Sequence, residues 1–167
     1  MFPYRAFLEG RLDEAMSMVR AIELICHGRD EPLPLKVILE TGALGDVSMI
    51  QGAAMAAAMS GADFLKTSTG KIPLGATPEA VTALLEVIAQ ANSRGLGPLG
   101  LKVSGGVRTV DDAARYLELA DRYIGRPEVG PNDFRFGASS LYDDIVAVLD
   151  GSNGSDGPIE QRQTGTY

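Results

Sequence analysis

Short apolar runs alternate with longer amphipathic segments along most of the sequence, and this alternation limits the chain to an α/β fold. Apolar residues recur at helical spacing from Leu12 to Ile25, and the small-residue segment from Val47 to Met59 is typical of a helix packed closely on a sheet. Strands are predicted at 35–40, 62–66, 99–103 and 134–136. Further helices are predicted at 77–93, at 109–123 and before residue 149. Because strands separated by helices connect by right-handed crossovers, the sequence predicts one parallel sheet of four strands.

Local signals mark the starts of two helices and the end of the folded region. Thr77-Pro78-Glu79 combines a hydroxyl cap, a proline at the first helical position and an early acid. Thr109 and Asp112 have the spacing of a capping box, with Asp in place of Glu or Gln. The last residues are rich in Gly, Ser, Asn, Asp and Gln. We therefore expect one folded domain over 1–150 and a flexible C-terminal tail over 151–167.

Length and composition exclude several classes of protein. The 167 residues fall short of the roughly 250 that a complete (β/α)₈ barrel needs. A formal net charge of −7 argues against nucleic acid or an anionic membrane as a partner. No apolar run approaches the roughly 20 residues that span a bilayer, and no secretory leader opens the sequence. The single cysteine, Cys26, excludes an intrachain disulfide and a multi-cysteine metal site. We therefore expect a soluble, cytoplasmic protein without a metal.

Two lysines end neighbouring predicted strands. Lys66 closes the second strand and Lys102 lies near the end of the third. Adjacent parallel strands lie about 4.8 Å apart, so the two ammonium groups can approach closely. At an effective dielectric of about 20, two such charges 4 Å apart repel by roughly 4 kcal/mol, which favours loss of one proton. A neutral amine beside a cation is the form that attacks a carbonyl to give a Schiff base, although a strand-end lysine can also simply extend its charge into water.

Glycine-rich turns follow the last two strands. Gly105-Gly106-Val107-Arg108 precedes a helix, and Gly137-Ala138-Ser139-Ser140 opens the last helix. Backbone N–H groups in such turns and at helix N-termini favour anions, and these positions match the usual phosphate site of (β/α)₈ enzymes. Gly70-Lys71, in the loop after Lys66, is a third candidate contact. Each turn alone is weak evidence for an anion site, because many strand-to-helix turns contain glycine for steric reasons. Together with the lysine pair, the turns predict a phosphorylated carbonyl substrate.

The remaining polar residues have plainer interpretations. Asp63 begins its strand and therefore points to the opposite rim, which favours a structural role. Lys36 and Glu40 share one face of the first strand, where a structural ion pair is at least as plausible as a catalytic contact. His27 ends a helix and is interpreted as a surface or capping residue. A Cys26–His27 dyad is discounted, because sequence neighbours have poor geometry for nucleophile and base roles.

Four segments strongly resemble the deoxyribose-phosphate aldolase family. They are 35–42, the stretch 62–71 with its Lys-Thr-Ser-Thr-Gly-Lys motif, 102–109 and 135–140. The opening Phe2-Pro3-Tyr4-Arg5-Ala6 and the closing Tyr167 are similar to the larger bacterial branch of that family. The resemblance covers nearly the whole chain, and the lysine-containing motif is highly specific.

The resemblance implies a class I aldolase with a (β/α)₈ barrel and no metal or organic cofactor. The family interconverts 2-deoxyribose 5-phosphate with glyceraldehyde 3-phosphate and acetaldehyde, in deoxyribose phosphate catabolism. By resemblance, Lys66 is the Schiff-base lysine, Lys102 is the cation that lowers its pKa, and Tyr167 assists proton transfer. The residues implied around the substrate phosphate are Gly70, Lys71, Gly105, Gly106, Val107, Arg108, Gly137, Ser139 and Ser140.

The chain departs from the family by covering only about the C-terminal half of the barrel. Family members have another half-barrel ahead of Phe2, with an aspartate that serves in proton relay. We therefore expect a partial barrel with open sheet edges and an apolar inner face. Such a chain is expected to be weakly stable, to dimerise through the surface left by the missing half of the barrel, or to be a fragment of a longer product. An inactive phosphosugar-binding half-barrel and a different phosphosugar enzyme on the same architecture remain alternatives.

Overall fold

The computed structural model describes residues 1–124 and 129–151 of the chain. One parallel sheet with the strand order β1-β2-β3-β4 forms its centre, which confirms the predicted α/β architecture. The strands are β1 (Lys36–Ile38), β2 (Phe64–Lys66), β3 (Gly100–Ser104) and β4 (Phe134–Gly137). The helices are α1 (Tyr4–Leu8), α2 (Leu12–His27), α3 (Thr41–Leu44), α4 (Val47–Met59), α5 (Pro78–Ser93), α6 (Val110–Ile124) and α7 (Leu141–Leu149).

Two short helices are additions to the predicted order. The single turn of α3 follows Glu40, whose backbone adopts the left-handed conformation with φ of 60°. Helix α1 follows Phe2, which is fully buried and packs edge-on against Phe7 with ring centroids 5.6 Å apart. Helices of four or five residues are too short to show an apolar period, so the sequence pattern alone does not reveal them.

The outer face of the sheet packs against the long helices and carries the hydrophobic core. Val37, Leu65, Leu101 and Val103 alternate along their strands and are nearly or fully buried. Helix α4 contributes small side chains to the same core, which confirms the predicted close packing. Its buried alanines are Ala53, Ala54, Ala56, Ala57 and Ala58.

The inner face of the sheet is cationic, so the expectation of an apolar inner face was wrong. Lys66 is in register with Lys102, and Lys102 is in register with Arg135. Lys36 lies two positions before Ile38, the register partner of Lys66. Alternate residues of a strand point to opposite faces, and these strands carry long basic side chains where the outer-face positions carry apolar ones. Ile38 and Phe64 are apolar exceptions on this face, and the Arg135 guanidinium lies 4.2 Å from the Phe64 ring centroid.

Among residues 1–124 and 129–151, strand β1 pairs with β2 alone and β4 pairs with β3 alone, so both edges of the sheet are open there, as expected. At the β1 edge, the Phe2 amide donates to the Ile38 carbonyl over 2.8 Å. Within the described residues, no helix combines the length and apolarity that crossing a bilayer requires.

Candidate active site

Lys66 and Lys102 lie side by side at the carboxyl end of the sheet, as the sequence predicted. They are register partners on β2 and β3, and both are half-buried. Desolvation by burial lowers the pKa of Lys66, and the charge of Lys102 lowers it further. Glu40 opposes this shift of the pKa, and Lys36 adds to it. The Lys66 Nζ donates to the Ser68 carbonyl over 2.6 Å, which fixes the position of the amine.

The Lys102 side chain occupies space left by a glycine on the neighbouring strand. A Cβ atom at Gly137 would lie 2.6 Å from Lys102 Cε and 3.3 Å from Lys102 Nζ. The same atom would lie 3.0 Å from Ser104 Cβ. Glycine at 137 therefore gives the ammonium group its place beside Lys66, in addition to lining the cavity as predicted.

Buried hydroxyl groups join the loop after Lys66 to the end of β3. Thr67 Oγ1 and Ser68 Oγ both donate to the Ser104 carbonyl, over 2.9 and 2.5 Å. Ser104 Oγ donates back to the Ser68 carbonyl over 2.6 Å, so this carbonyl accepts from Ser104 and from Lys66. The Ser104 hydroxyl thus holds the carbonyl that binds the Lys66 amine, and the Thr67 and Ser68 hydroxyls hold the Ser104 carbonyl. None of these three hydroxyl groups was predicted from the sequence to have a role.

Glu40 holds the next residue of this loop. Its carboxylate is buried and accepts from the Thr69 amide, with both oxygens at 3.2 Å, and from Thr69 Oγ1 at 2.5 Å. Glu40 therefore binds Thr69 and does not form the ion pair with Lys36 that was one of the two alternatives. The left-handed backbone at Glu40 is costly for a residue with a side chain, and it coincides with this contact to the loop.

A cavity of about 450 Å³ opens above the lysine pair. Most of the predicted site residues line this cavity. Three further lining residues, Thr69, Ser104 and Ala138, were not predicted as site residues from the sequence. Lys71 is exposed and is not among the lining residues, so its contact with a ligand remains a prediction. Tyr167 lies outside the described residues. The predicted residues that line the cavity are Lys66, Gly70, Lys102, Gly105, Gly106, Val107, Arg108, Gly137, Ser139 and Ser140.

The turn after β3 requires glycine for two separate reasons. Gly105 and Gly106 have φ of 85° and 93°, in the left-handed region. A Cβ at Gly105 would also lie 2.6 Å from Ser68 Oγ, so the turn packs directly on the lysine loop. The Gly106 and Val107 amides have no hydrogen-bond partner within residues 1–124 and 129–151. These amides are available to an anion in the cavity.

The two helix N-termini at the cavity differ from each other. Asp112 accepts from the Arg108 and Thr109 amides, and its own amide donates to Thr109 Oγ1, so the predicted capping box forms. Asp144 accepts from the Val110 amide over 2.7 Å. Carboxylates of the chain thus occupy the Arg108, Thr109 and Val110 amides at the start of α6, so a contribution of this turn to an anion site stays a prediction that depends on the Gly106 and Val107 amides and the Arg108 side chain. At α7, by contrast, the Ser140 side chain makes no capping hydrogen bond.

Asp63 and His27 lie at the other end of the sheet, where Asp63 has the structural role that was predicted and His27, predicted as a surface or capping residue, instead bridges two elements. Asp63 Oδ2 accepts from the Leu35 amide over 2.6 Å and contacts His27 Nε2 at 2.7 Å. His27 Nδ1 contacts Glu23 Oε1 at 2.9 Å. These residues join the end of α2 to the start of β2, away from the lysine pair.

A parallel sheet of four strands alternating with helices, with lysines and glycine turns toward the carboxyl ends of its strands, places the chain in the α/β class and matches half of a (β/α)₈ barrel. A family model for DeoC/LacD family aldolases matches residues 2–144. The chain therefore belongs to the DeoC/LacD family of aldolases.

Solved structures agree with this assignment. A protein of Toxoplasma gondii ME49, assigned as a deoxyribose-phosphate aldolase, is 25% identical with a TM-score of 0.71, over 92% of this chain and 58% of its own. A protein of Coccidioides immitis with the same assignment is 26% identical with a TM-score of 0.70, over 89% and 50%. The tetrameric deoxyribose phosphate aldolase of Aeropyrum pernix, at 24% identity and a TM-score of 0.59, shares the fold over 83% and 50%. The chain thus spans between 50% and 58% of the length of these neighbours.

Proposed function

We propose that the protein is a Schiff-base aldolase that reversibly cleaves 2-deoxy-D-ribose 5-phosphate into D-glyceraldehyde 3-phosphate and acetaldehyde. The observation that carries this proposal is the half-buried Lys66 amine beside Lys102, at the floor of a cavity bordered by glycine turns. Family membership supports aldol chemistry, and the lowered pKa of Lys66 supports an amine nucleophile.

The reaction begins when the neutral Lys66 amine adds to the aldehyde carbon C1 of the open-chain sugar. The carbinolamine takes up a proton and loses water to give an iminium ion, and a base then takes the proton of the C3 hydroxyl. The C2–C3 bond breaks, its electron pair neutralises the iminium nitrogen, and an enamine and glyceraldehyde 3-phosphate result. Protonation of the enamine at C2 and hydrolysis then release acetaldehyde and regenerate the amine. We propose Tyr167 as an aid to the proton transfers, as the family resemblance implies.

The phosphate group would bind at the far side of the cavity from Lys66. The unpartnered Gly106 and Val107 amides and the uncapped start of α7 at Ser139 and Ser140 supply N–H donors. Arg108 lines the same cavity and can supply a cation. Lys71, two residues beyond Thr69, is proposed to add a second cation when substrate is bound.

Reductive trapping tests the proposal directly. The protein is incubated with 2-deoxyribose 5-phosphate, reduced with borohydride and analysed by peptide mass spectrometry, while glyceraldehyde 3-phosphate is assayed in parallel. We expect a covalent adduct on Lys66 together with product, and loss of both in Lys66→Ala. An adduct on another lysine, or none, contradicts the proposal.

The same experiment distinguishes a protein that only binds a phosphosugar. Such a protein would bind the sugar phosphate in calorimetry but give neither adduct nor product. Trapping of a different aldehyde on Lys66, without turnover of 2-deoxyribose 5-phosphate, would indicate another aldolase of the same family and overturn the proposed substrate.

We also propose that the protein is a cytoplasmic homo-oligomer with a phosphosugar substrate and with neither nucleic acid nor membrane as a partner. The tetrameric neighbour from Aeropyrum pernix supports oligomer formation.

A further inference from the structure

The Ser68 carbonyl is the backbone group that holds the Lys66 amine, and it has a second donor. Lys66 Nζ donates to it over 2.6 Å, and Ser104 Oγ donates to it over the same distance. A backbone carbonyl oxygen has two lone pairs, so these two donors fill its acceptor sites. The Ser104 hydroxyl and the Lys66 amine therefore share one acceptor.

The contact between Ser68 and Ser104 is reciprocal but not symmetric. Ser68 Oγ donates to the Ser104 carbonyl over 2.5 Å, and that carbonyl also accepts from Thr67 Oγ1 over 2.9 Å. All three side chains are buried, with Ser104 only 4% exposed. The Ser104 carbonyl thus binds two hydroxyls, whereas the Ser68 carbonyl binds one hydroxyl and the amine. Of these three hydroxyls, that of Ser104 alone donates to the carbonyl that holds Lys66.

The second donor limits how strongly the Ser68 carbonyl stabilises the ammonium form of Lys66. An oxygen that already accepts one hydrogen bond is a weaker acceptor for the next, and the bond from a charged donor is stronger than that from a neutral one. With the Ser104 hydroxyl present, the carbonyl fixes the position of the amine without giving its charged form the full stabilisation. Without this hydroxyl, the whole acceptor capacity passes to Lys66 and favours retention of the proton.

The charged groups around Lys66 form a constant background for this effect. They are Lys102 on β3, Lys36 on β1 and Glu40 after β1. Ser104 carries no charge, so its replacement by another neutral residue leaves each of these groups in the chain. A change in the ionisation of Lys66 on replacing Ser104 therefore reports on the shared carbonyl.

We propose that Ser104 is a positioning residue for Lys66, whose hydroxyl orients the Ser68 carbonyl and occupies the acceptor site that the ammonium form would otherwise use. Ser104 acts through this carbonyl on the amine. The consequence for aldol cleavage rests on the proposed function, whereas the effect of Ser104 on the Lys66 amine does not.

Competitive acetylation as a function of pH tests this role without any turnover. Acetic anhydride reacts with neutral amines, and peptide mass spectrometry gives the rate at Lys66 relative to the exposed Lys71 in the same molecule. In Ser104→Ala we expect the reactivity of Lys66 at neutral pH to fall about threefold, with its titration midpoint moved to higher pH. Ser104→Thr keeps the hydroxyl donor and should restore the wild-type profile.

Two further serine-to-alanine variants separate this role from a general loosening of the structure. Ser68→Ala removes the reciprocal hydrogen bond but leaves both donors on the Ser68 carbonyl, so its effect on Lys66 should be clearly smaller than that of Ser104→Ala. Ser60→Ala removes a buried hydroxyl that donates to the Ala56 carbonyl over 2.7 Å at the end of α4, and it should leave the Lys66 profile unchanged.

Three results overturn the inference. They are an unchanged Lys66 midpoint in Ser104→Ala, an equal shift in Ser68→Ala, and a folded Ser104→Thr variant that behaves like Ser104→Ala. Circular dichroism confirms the fold of each variant. If the added methyl group of threonine impairs folding, Ser104→Cys takes its place, and its weaker S–H donor should give an intermediate midpoint.

The inference and the proposed function fail in different ways. If Lys66 is trapped by 2-deoxyribose 5-phosphate but its titration does not respond to Ser104→Ala, the proposed function holds and the role of Ser104 is wrong. If the Lys66 midpoint responds to Ser104→Ala but no imine is ever trapped, the role of Ser104 holds and the aldolase proposal is wrong.

Discussion

At the scale of single residues, the site depends on glycines as much as on its lysines, because the absent glycine side chains leave room for neighbouring groups. Gly137 leaves room for the Lys102 ammonium, and Gly105 leaves room for the Ser68 hydroxyl. A methyl group at Gly137 cannot coexist with the observed Lys102 position, because Cβ would lie 2.6 Å from Cε. The end of the lysine side chain is flexible, so we expect it to move away from Lys66 rather than the sheet to distort.

Gly137→Ala should therefore impair chemistry more than folding. We expect imine formation at Lys66 to slow about tenfold, corresponding to ~1.4 kcal/mol, with little change in the free energy of unfolding. The rate of borohydride-trappable adduct and a urea titration measure the two quantities. Gly130→Ala is the matched control, since its Cβ would meet only Asp133 Oδ2 at an ordinary 3.7 Å. Equal trapping rates in both variants and wild type would show that Lys102 does not need this space.

The sequence predicted the two lysines that the proposed reaction uses better than the residues that hold them in place. Lys66 and Lys102 are visible because a basic residue at the end of an apolar strand is unusual. The sequence does not reveal the roles of Glu40, Thr69 and Ser104, because these roles depend on contacts between loops that are far apart in the sequence. Ser104 stands before two glycines at a strand end, and this position is a sequence signal for a role in the site. The signal is not specific, because hydroxyl residues are common at the start of turns for other reasons.

At the scale of elements, the helix starts were predictable and the shortest helices were not. Thr77 Oγ1 accepts from the Ala80 amide over 3.1 Å, and Thr109 and Asp112 cap α6, as the local patterns indicated. The capping of α6 by Asp144 comes from α7, so no local pattern could reveal that this helix end is occupied. The remote end of the sheet is secured by His27, which joins Glu23 of α2 to Asp63 before β2.

His27→Gln should destabilise the protein in a pH-dependent way. The contact with Asp63, followed by that with Glu23, raises the folded-state pKa of His27 above its ordinary 6.5, against the opposing effect of desolvation. The stabilisation by protonated His27 is therefore complete below about pH 6.5 and is lost as pH rises through the raised pKa. We expect His27→Gln to cost about 0.5–1 kcal/mol at pH 5.5, the range of partly exposed ion pairs, and less at pH 9.

Urea unfolding of both proteins at these two pH values measures this difference. His27→Gln is compared with Cys26→Ser, a substitution at the adjacent, partly buried residue that leaves the histidine in place. A cost that is the same at both pH values would show that the imidazolium charge does not contribute to the attachment of α2.

At the scale of the whole molecule, apolar side chains remain exposed at both ends of the helical layer. Ile25 on α2 is 69% exposed and Leu149 on α7 is 79% exposed. Helix α2 precedes the edge strand β1 along the chain, and α7 follows the edge strand β4. The inner face offers no comparable apolar area, and pairing it with the same face of a second copy would oppose like charges. Association of copies is therefore expected through the flanking helices.

The double variant Ile25→Lys, Leu149→Lys should shift the protein toward the monomer. Removing the apolar side chains at both flanks weakens burial between copies, which is the main driving force for association. Sedimentation velocity over a range of concentrations measures the change. Met59→Lys, at an exposed position at the end of the central helix α4, is the control and should sediment like wild type. A wild-type chain that remains monomeric throughout would contradict self-association.

The most direct test of the account is the ionisation of Lys66 itself. An NMR titration of the lysine side chains, with Lys66 assigned by its absence in Lys66→Ala, compares Lys66 with the exposed Lys71 in one sample. Since burial and the nearby cations lower the pKa of Lys66, we predict that it loses its proton at a clearly lower pH than Lys71. Coincident titration of the two amines would contradict the central claim that the sheet holds Lys66 ready to attack a carbonyl.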